Sequence, residues 1–404
     1  MAISQLSSLL YSLCVAQAAP LAPSAPAPAA AETPAPAGEQ TGAEPVAETP
    51  ASPAAEPPPP SPVEVLASRL KLEGGVDAYY GFNFNRPTDA ANFIPGTGTS
   101  AKRHNEFSVN LATLGVSMDP APVGLRLLVG YGTGMEVLHA GEPAGTAVGP
   151  DVWRYVQQAS ASFARGPLTL EAGIYPSHIG FESLQSQLNW TYTRSWMGEL
   201  SPYYQTGLKG SWRFNDTWSA QLHVINGWQN IGENNHGKAL GTQVAYAGER
   251  LFAAFNTCIG EEGSEDSDGL RLFGDVVAAY KVTDAFSLGF TADVGTQRIP
   301  DADAALWYAA GLNARVQLSE PVALAARAEF YKDRDGLISG TAQTLSEGTL
   351  TLEVKPAEHL TLKLEARHDR STEDVFTGRE TTEEGAPTLK SSQTLLLAGV
   401  TASF

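Results

Sequence analysis

Cysteine is almost absent. Of 404 residues only Cys14 and Cys258 carry a thiol, and Cys14 falls in a segment with the character of a removable leader. One remaining thiol cannot build a disulfide framework or a cysteine-based metal site. Basic residues are scarce too, with 26 Lys plus Arg against 44 Asp plus Glu and a formal charge of −18. Nucleic acid is thereby excluded as a partner, because phosphate binding needs clustered Lys and Arg. Beyond the leader the chain also lacks an apolar run of about 18 residues, so no helix of it spans a bilayer. A membrane is not excluded by this, since a closed β-barrel also satisfies every backbone group in lipid.

Residues 1–18, "MAISQLSSLLYSLCVAQA", read as a signal peptide with an Ala16-Gln17-Ala18 cleavage site, although the usual basic start is missing. Leu13 is too large for the position before a lipidated cysteine, so Cys14 is not read as an anchor. From 19 to 62 the chain is Ala, Pro, Glu and Ser with little to bury, the composition of an extended periplasmic linker. Residues 63–75 form a lead-in. At Val76 the pattern changes, and 76–404 reads as one domain.

The period there is two. "HLTLKLEARHD" sets Leu360, Leu362, Leu364 and Ala366 against Thr361, Lys363, Glu365 and Arg367, and "FSLGFTADVG" sets Phe286, Leu288, Phe290 and Val294 against Gly289 and Asp293. Such alternation marks strands with one apolar and one polar face. About sixteen segments share it, the first beginning near residue 72 and the last near 391. Short connections ("DPAP", "ARGP", "NDT", "LSEP") alternate with long ones, among them 86–104, 132–152, 176–202 and 369–390. The expected fold is all-β: a transmembrane, antiparallel, up-and-down β-barrel of about 16 strands, with short turns periplasmic and long loops outside. A soluble sandwich would leave the mid-strand charges in a dry interior at high cost.

With the apolar face toward lipid, the other face lines a lumen. Strand parity places Arg126, Lys209, Arg213, Arg271, Arg315, Arg327, Lys363 and Arg367 there, with Asp77, Glu171, Asp275, Asp293, Glu329, Glu353 and Glu365. A wall of both signs suits a wet pore of weak selectivity, and the same charges could instead pair across strands and brace the wall. The 176–202 connection either folds into the lumen or lends Trp190, Tyr192 and Trp196 to an interfacial girdle. Ser177, His178 and Glu182 lie close in sequence but follow no nucleophile elbow, and no catalytic residue, metal ligand or cofactor is assigned. The carboxylate-rich loops 260–269 and 371–385 lack the spacing of a Ca²⁺ loop.

"VDAYYGFNFNRP", "HNEFSVNLATLGV", "EAGIYPSHIGFES", "SPYYQTGLKGSWRF" and "LHVINGWQN" together resemble the OmpL-like β-barrel outer-membrane porins, from about residue 76 onward. The resemblance implies a passive channel in the bacterial outer membrane for small hydrophilic solutes. It brings no assigned substrate or binding residues. The alternative is a plugged barrel that binds or braces at the surface through its long acidic loops. Outer-membrane lipid is the expected surrounding, and association of several copies is compatible with either reading. "QTLLLAGVTASF" reads as the closing strand, with Leu396, Ala398, Val400, Ala402 and Phe404 in the lipid phase. Phe404 there resembles the signal read by the barrel-assembly machinery.

Overall fold

The computed structural model describes residue 61 and residues 67–142, 153–263 and 269–404. The expected signal peptide and nearly all of the linker lie outside the described residues. Eighteen strands follow: β1 (Lys71–Asn83), β2 (Phe107–Met118), β3 (Val123–Tyr131), β4 (Val156–Arg165), β5 (Leu168–Pro176) and β6 (Tyr204–Arg213). Next come β7 (Trp218–Ile225), β8 (Ala239–Ala247), β9 (Leu251–Glu261), β10 (Leu270–Lys281), β11 (Phe286–Gln297) and β12 (Ala305–Ser319). The last are β13 (Val322–Asp333), β14 (Gln343–Ala357), β15 (Leu360–Ser371), β16 (Phe376–Thr381), β17 (Pro387–Lys390) and β18 (Ser392–Ser403). All but β16 and β17 close one antiparallel barrel, in which each strand pairs with its neighbours in sequence and β18 joins β15 to β1. The sheet begins at Lys71, upstream of the boundary expected at Val76.

Closure is a matter of hydrogen bonds. Val76 sits opposite Ala402 and Ala78 opposite Val400, while Phe404 and Gly74 exchange both backbone bonds, at 2.9 and 3.2 Å. No sheet edge is therefore left for lipid to meet. Parity sorts the faces as the alternation requires. Leu362, Leu364, Leu396, Val400, Leu288 and Val294 point outward and are exposed, while Lys363, Glu365, Arg367, Asp293 and Thr401 point inward and are buried. Aromatic residues gather at both rims of the outer face. Trp212, Phe214, Trp218 and Phe404 lie at the short-turn end, and Phe84, Phe107, Tyr131 and Tyr155 at the long-loop end. Their rings suit the interfacial depth of a bilayer. Ile174 departs from its outward row: it is buried against Leu111, Met135 and Tyr204, directly after Gly173 at φ 125°.

The interior is filled mainly from the long-loop side. Residues 177–203 drop into the barrel with a 3₁₀ turn (Ser186–Leu188) and a short helix, and the fully buried Tyr192, Arg194 and Trp196 show how deep they go. Two short helices pack on the long-loop side, α1 (Thr133–Leu138) after β3 and α2 (Trp196–Glu199) in this loop. Phe93 of the first loop and Phe376 of β16 close over Trp196, with ring centroids 6.0 and 6.1 Å away. Trp190, Tyr192 and Trp196 therefore belong to the lumen and not to a girdle.

Candidate functional site

The inward row of β12–β15 is a lattice of opposite charges. Arg327 meets Glu347 at 2.6 Å, Arg315 meets Glu353 at 2.8 Å, and Arg367 meets Asp369 at 2.8 Å. Pairing of this kind, across strands for Arg327 and Arg315 and along β15 for Arg367, offsets the cost of taking each charge out of water. The same side chains also hold the inserted loop. Lys363 donates to the carbonyls of Ser186 (2.8 Å), Asn189 (2.5 Å) and Thr191 (3.2 Å). Glu365 accepts from the Tyr192 and Thr193 amides and from the Thr193 and Thr351 hydroxyls. Arg327 reaches Glu182 at 2.6 Å and the Thr193 carbonyl at 2.7 Å, and Arg367 donates to the Arg194 carbonyl at 2.5 Å. Glu329 takes the Trp196 and Met197 amides. Across the lumen Asp275 takes the Gly180 amide at 2.9 Å, and Asp77 takes the Tyr192 hydroxyl at 2.7 Å. A loop backbone has few partners of its own, so a wall rich in donors and acceptors is what lets it stay buried.

Twelve of the expected inward charges therefore divide into four groups. Asp275, Asp293, Arg327, Glu329, Lys363, Glu365 and Arg367 point inward and are covered, most of them bonded to the 177–203 loop. Arg271 lies against Trp228 and Trp307, and Arg315 is buried on Glu353. Arg126 and Lys209 face the space that remains, while Arg213 ends β6 and is exposed at the short-turn rim.

That space is a crevice of about 300 Å³ between the loop and β2–β6. Its lining runs from Met118 and Pro120 at the short-turn end to Leu138 and Tyr204 under the outer loops. Ser117, Gln158, Ser160 and Ser162 come from the strands, and Ile179, Phe181, Leu184 and Leu188 from the loop. At the outer end α1 packs Met135 and Leu138 onto Leu111, Tyr204 and Ile231. Burial pushes the neighbouring His139 imidazole down to about 4, although Nε2 lies 3.1 Å from the Val156 carbonyl.

Ser177, His178 and Glu182 do not assemble into a catalytic group. The Ser177 hydroxyl accepts from the Ile179 amide, and His178 bonds to Gln205 and the Thr257 carbonyl. Glu182 serves Ser195 and Arg327. Among the described residues no cluster of three His, Cys, Asp or Glu is placed to hold a metal.

Parity reasoning left out Glu347 and Asp369, which share the inward phase of Glu353 and Arg367 and would have been found by extending the alternation. Arg194 and Glu199 were also left out. They lie in the loop, where no period guides the eye, and Arg194 bonds to Thr99, Ser183 and Leu184.

A closed sixteen-stranded barrel with an apolar belt, a charged interior and an inserted loop defines an outer-membrane β-barrel of the porin type. The family described as "Putative beta-barrel porin-2, OmpL-like" matches residues 69–404, and the chain belongs to it. No curated protein sequence matches the chain. Among solved structures, the anion-selective porin of Comamonas acidovorans is similar at 12% identity and TM-score 0.55, over 83% of this chain and 99% of that one. The outer membrane channel DcaP of Acinetobacter baumannii is similar at 11% identity and TM-score 0.55, over 83% and 97%. Pseudomonas putida OprB gives 12% identity and TM-score 0.55, over 85% and 96%. These likenesses carry the fold. The protein is a porin-type barrel of the bacterial outer membrane.

Proposed function

We propose that the protein is a passive channel for small hydrophilic solutes and that the crevice beside the inserted loop is their path. The observation that carries this is a solvent-reachable lining of polar and apolar side chains that runs from the short-turn rim to the outer loops, in a barrel whose other inward face is filled. Arg126 and Lys209 line the path, whereas the more deeply buried charges act by fixing the loop. A lipid-facing exterior and a wall of paired charges support diffusion and not turnover, and no catalytic role is assigned. Planar-bilayer recording of the purified, folded chain tests the reading. Stepwise currents are expected, and their absence would turn it toward the plugged barrel, a second reading favoured by how completely residues 189–197 are buried.

The exported leader, the periplasmic linker, recognition by the barrel-assembly machinery and association of copies belong to the same proposal. Support for a role of Phe404 in assembly comes from its exposed ring at the rim and its paired bonds to Gly74. Phe404→Ala is expected to lower the amount of protein in outer-membrane fractions while leaving the conductance of inserted molecules unchanged.

A further inference from the structure

We infer that the crevice selects small neutral, polyhydroxylated solutes of pyranose type over ions of the same size. This rests on the channel reading above and goes beyond it by naming the class of solute.

The charges come first. Five charged side chains line the crevice: Asp119, Arg126, Glu171, Glu182 and Lys209. Each is already paired. Lys209 meets Glu171 at 2.5 Å, Arg126 meets Glu73 at 2.5 Å, Glu182 meets Arg327 at 2.6 Å, and Asp119 meets Lys71 at 2.5 Å. Glu171 also accepts from the Ser160 hydroxyl at 2.7 Å. A dipole of contact length produces a field that falls off quickly, so no lone charge remains to replace the water an ion must shed.

The two walls come next. The strand wall offers Ser117, Gln158, Ser160 and Ser162, with Ser117 and Ser160 directly opposite Arg126 on either side. The facing loop offers Ile179, Phe181, Leu184 and Leu188 interleaved with Ser177, Glu182, Ser183 and Gln185, and Phe181 is fixed edge-on to Trp190 at 5.5 Å. A slot in which hydrogen-bonding side chains alternate with apolar ones strips part of the water from whatever enters. An ion loses hydration against the apolar side chains without recompense. A pyranose ring has hydroxyls for the polar side chains and a face of C–H groups for the apolar ones, so it loses less.

The test uses the full purified chain in proteoliposomes, with labelled glucose, gluconate and glucosamine of nearly equal size, beside bilayer recording of the same preparation. Glucose is expected to enter at least about threefold faster than either ion. Breaking one pair should create the missing selectivity: Glu171→Gln frees Lys209 and speeds gluconate over glucosamine, and Lys209→Met does the reverse. Heat-modifiable migration on gels confirms that each variant is folded, and Ser162→Val, which leaves the pairs intact, should slow glucose alone. Stepwise currents with gluconate or glucosamine entering as fast as glucose would overturn the inference and leave the channel standing. Neither current nor solute entry would overturn the channel reading itself.

Discussion

Lys363 shows what a single inward residue does. It is 2% exposed, and its ammonium holds three loop carbonyls while Glu353 lies 3.5 Å away. Lys363→Met keeps the length of the side chain and removes every one of those donors. Breaking a buried charged network of this kind costs about 3 kcal/mol, enough to shift a loop from docked to partly free. Single-channel conductance should rise and become noisier, and protease should cut within 184–191. Unchanged conductance together with an uncut loop would count against the clamp. The inward phase of Lys363 was legible because Leu362 and Leu364 flank it. Its partner was not, since the contact spans 177 residues of sequence separation to Ser186 and obeys no period. Gly399 was equally silent. It leaves room for the Tyr192 ring, whose nearest atom would lie 2.4 Å from an added Cβ.

At the scale of an element, strands and loops differ in how much of their structure is written locally. A strand buried on one face must alternate, so the starts, the number and the facing of the barrel strands could be read before any partner was known. A loop that enters a lumen is shaped by the wall it meets, and the sequence of 176–202 offered two fates that only the wall decides. The α1 segment is a similar case and gives a pH prediction. His139 follows α1 with its ring 5.0 Å from that of Tyr204, and Tyr204 in turn donates to Glu142. In the docked state the imidazole resists protonation until about 4, whereas a free one takes its proton near 6.5. Protons therefore favour the undocked form, and docking is strongest above 6.5 and weakens as pH falls toward 4. The full span is worth up to about 3 kcal/mol. Hydrogen exchange of the Glu136–Leu138 amides should quicken in acid relative to His139→Gln at the same pH, and parallel curves for the two proteins would refute the coupling.

At the scale of the molecule, the formal charge of −18 and the paired crevice have to be reconciled. They occupy different places. Glu373, Asp374, Glu380, Glu383 and Glu384 are exposed on and around the β16–β17 hairpin, against only Arg379 and Lys390 there. These carboxylates stand at the outer mouth, where they attract cations through open solvent and not through contact. Such a field reaches about 10 Å at 0.1 M salt and about 3 Å at 1 M. The crevice pairs sit at contact distance and are screened far less. Reversal potentials should therefore show a cation preference in dilute salt that fades toward none as salt is raised. Changing the five hairpin carboxylates to their amides should weaken the preference in dilute salt and leave the behaviour at 1 M untouched. A preference that survived 1 M salt would place a lone charge in the crevice, against the pairing of Lys209 with Glu171 and of Arg126 with Glu73.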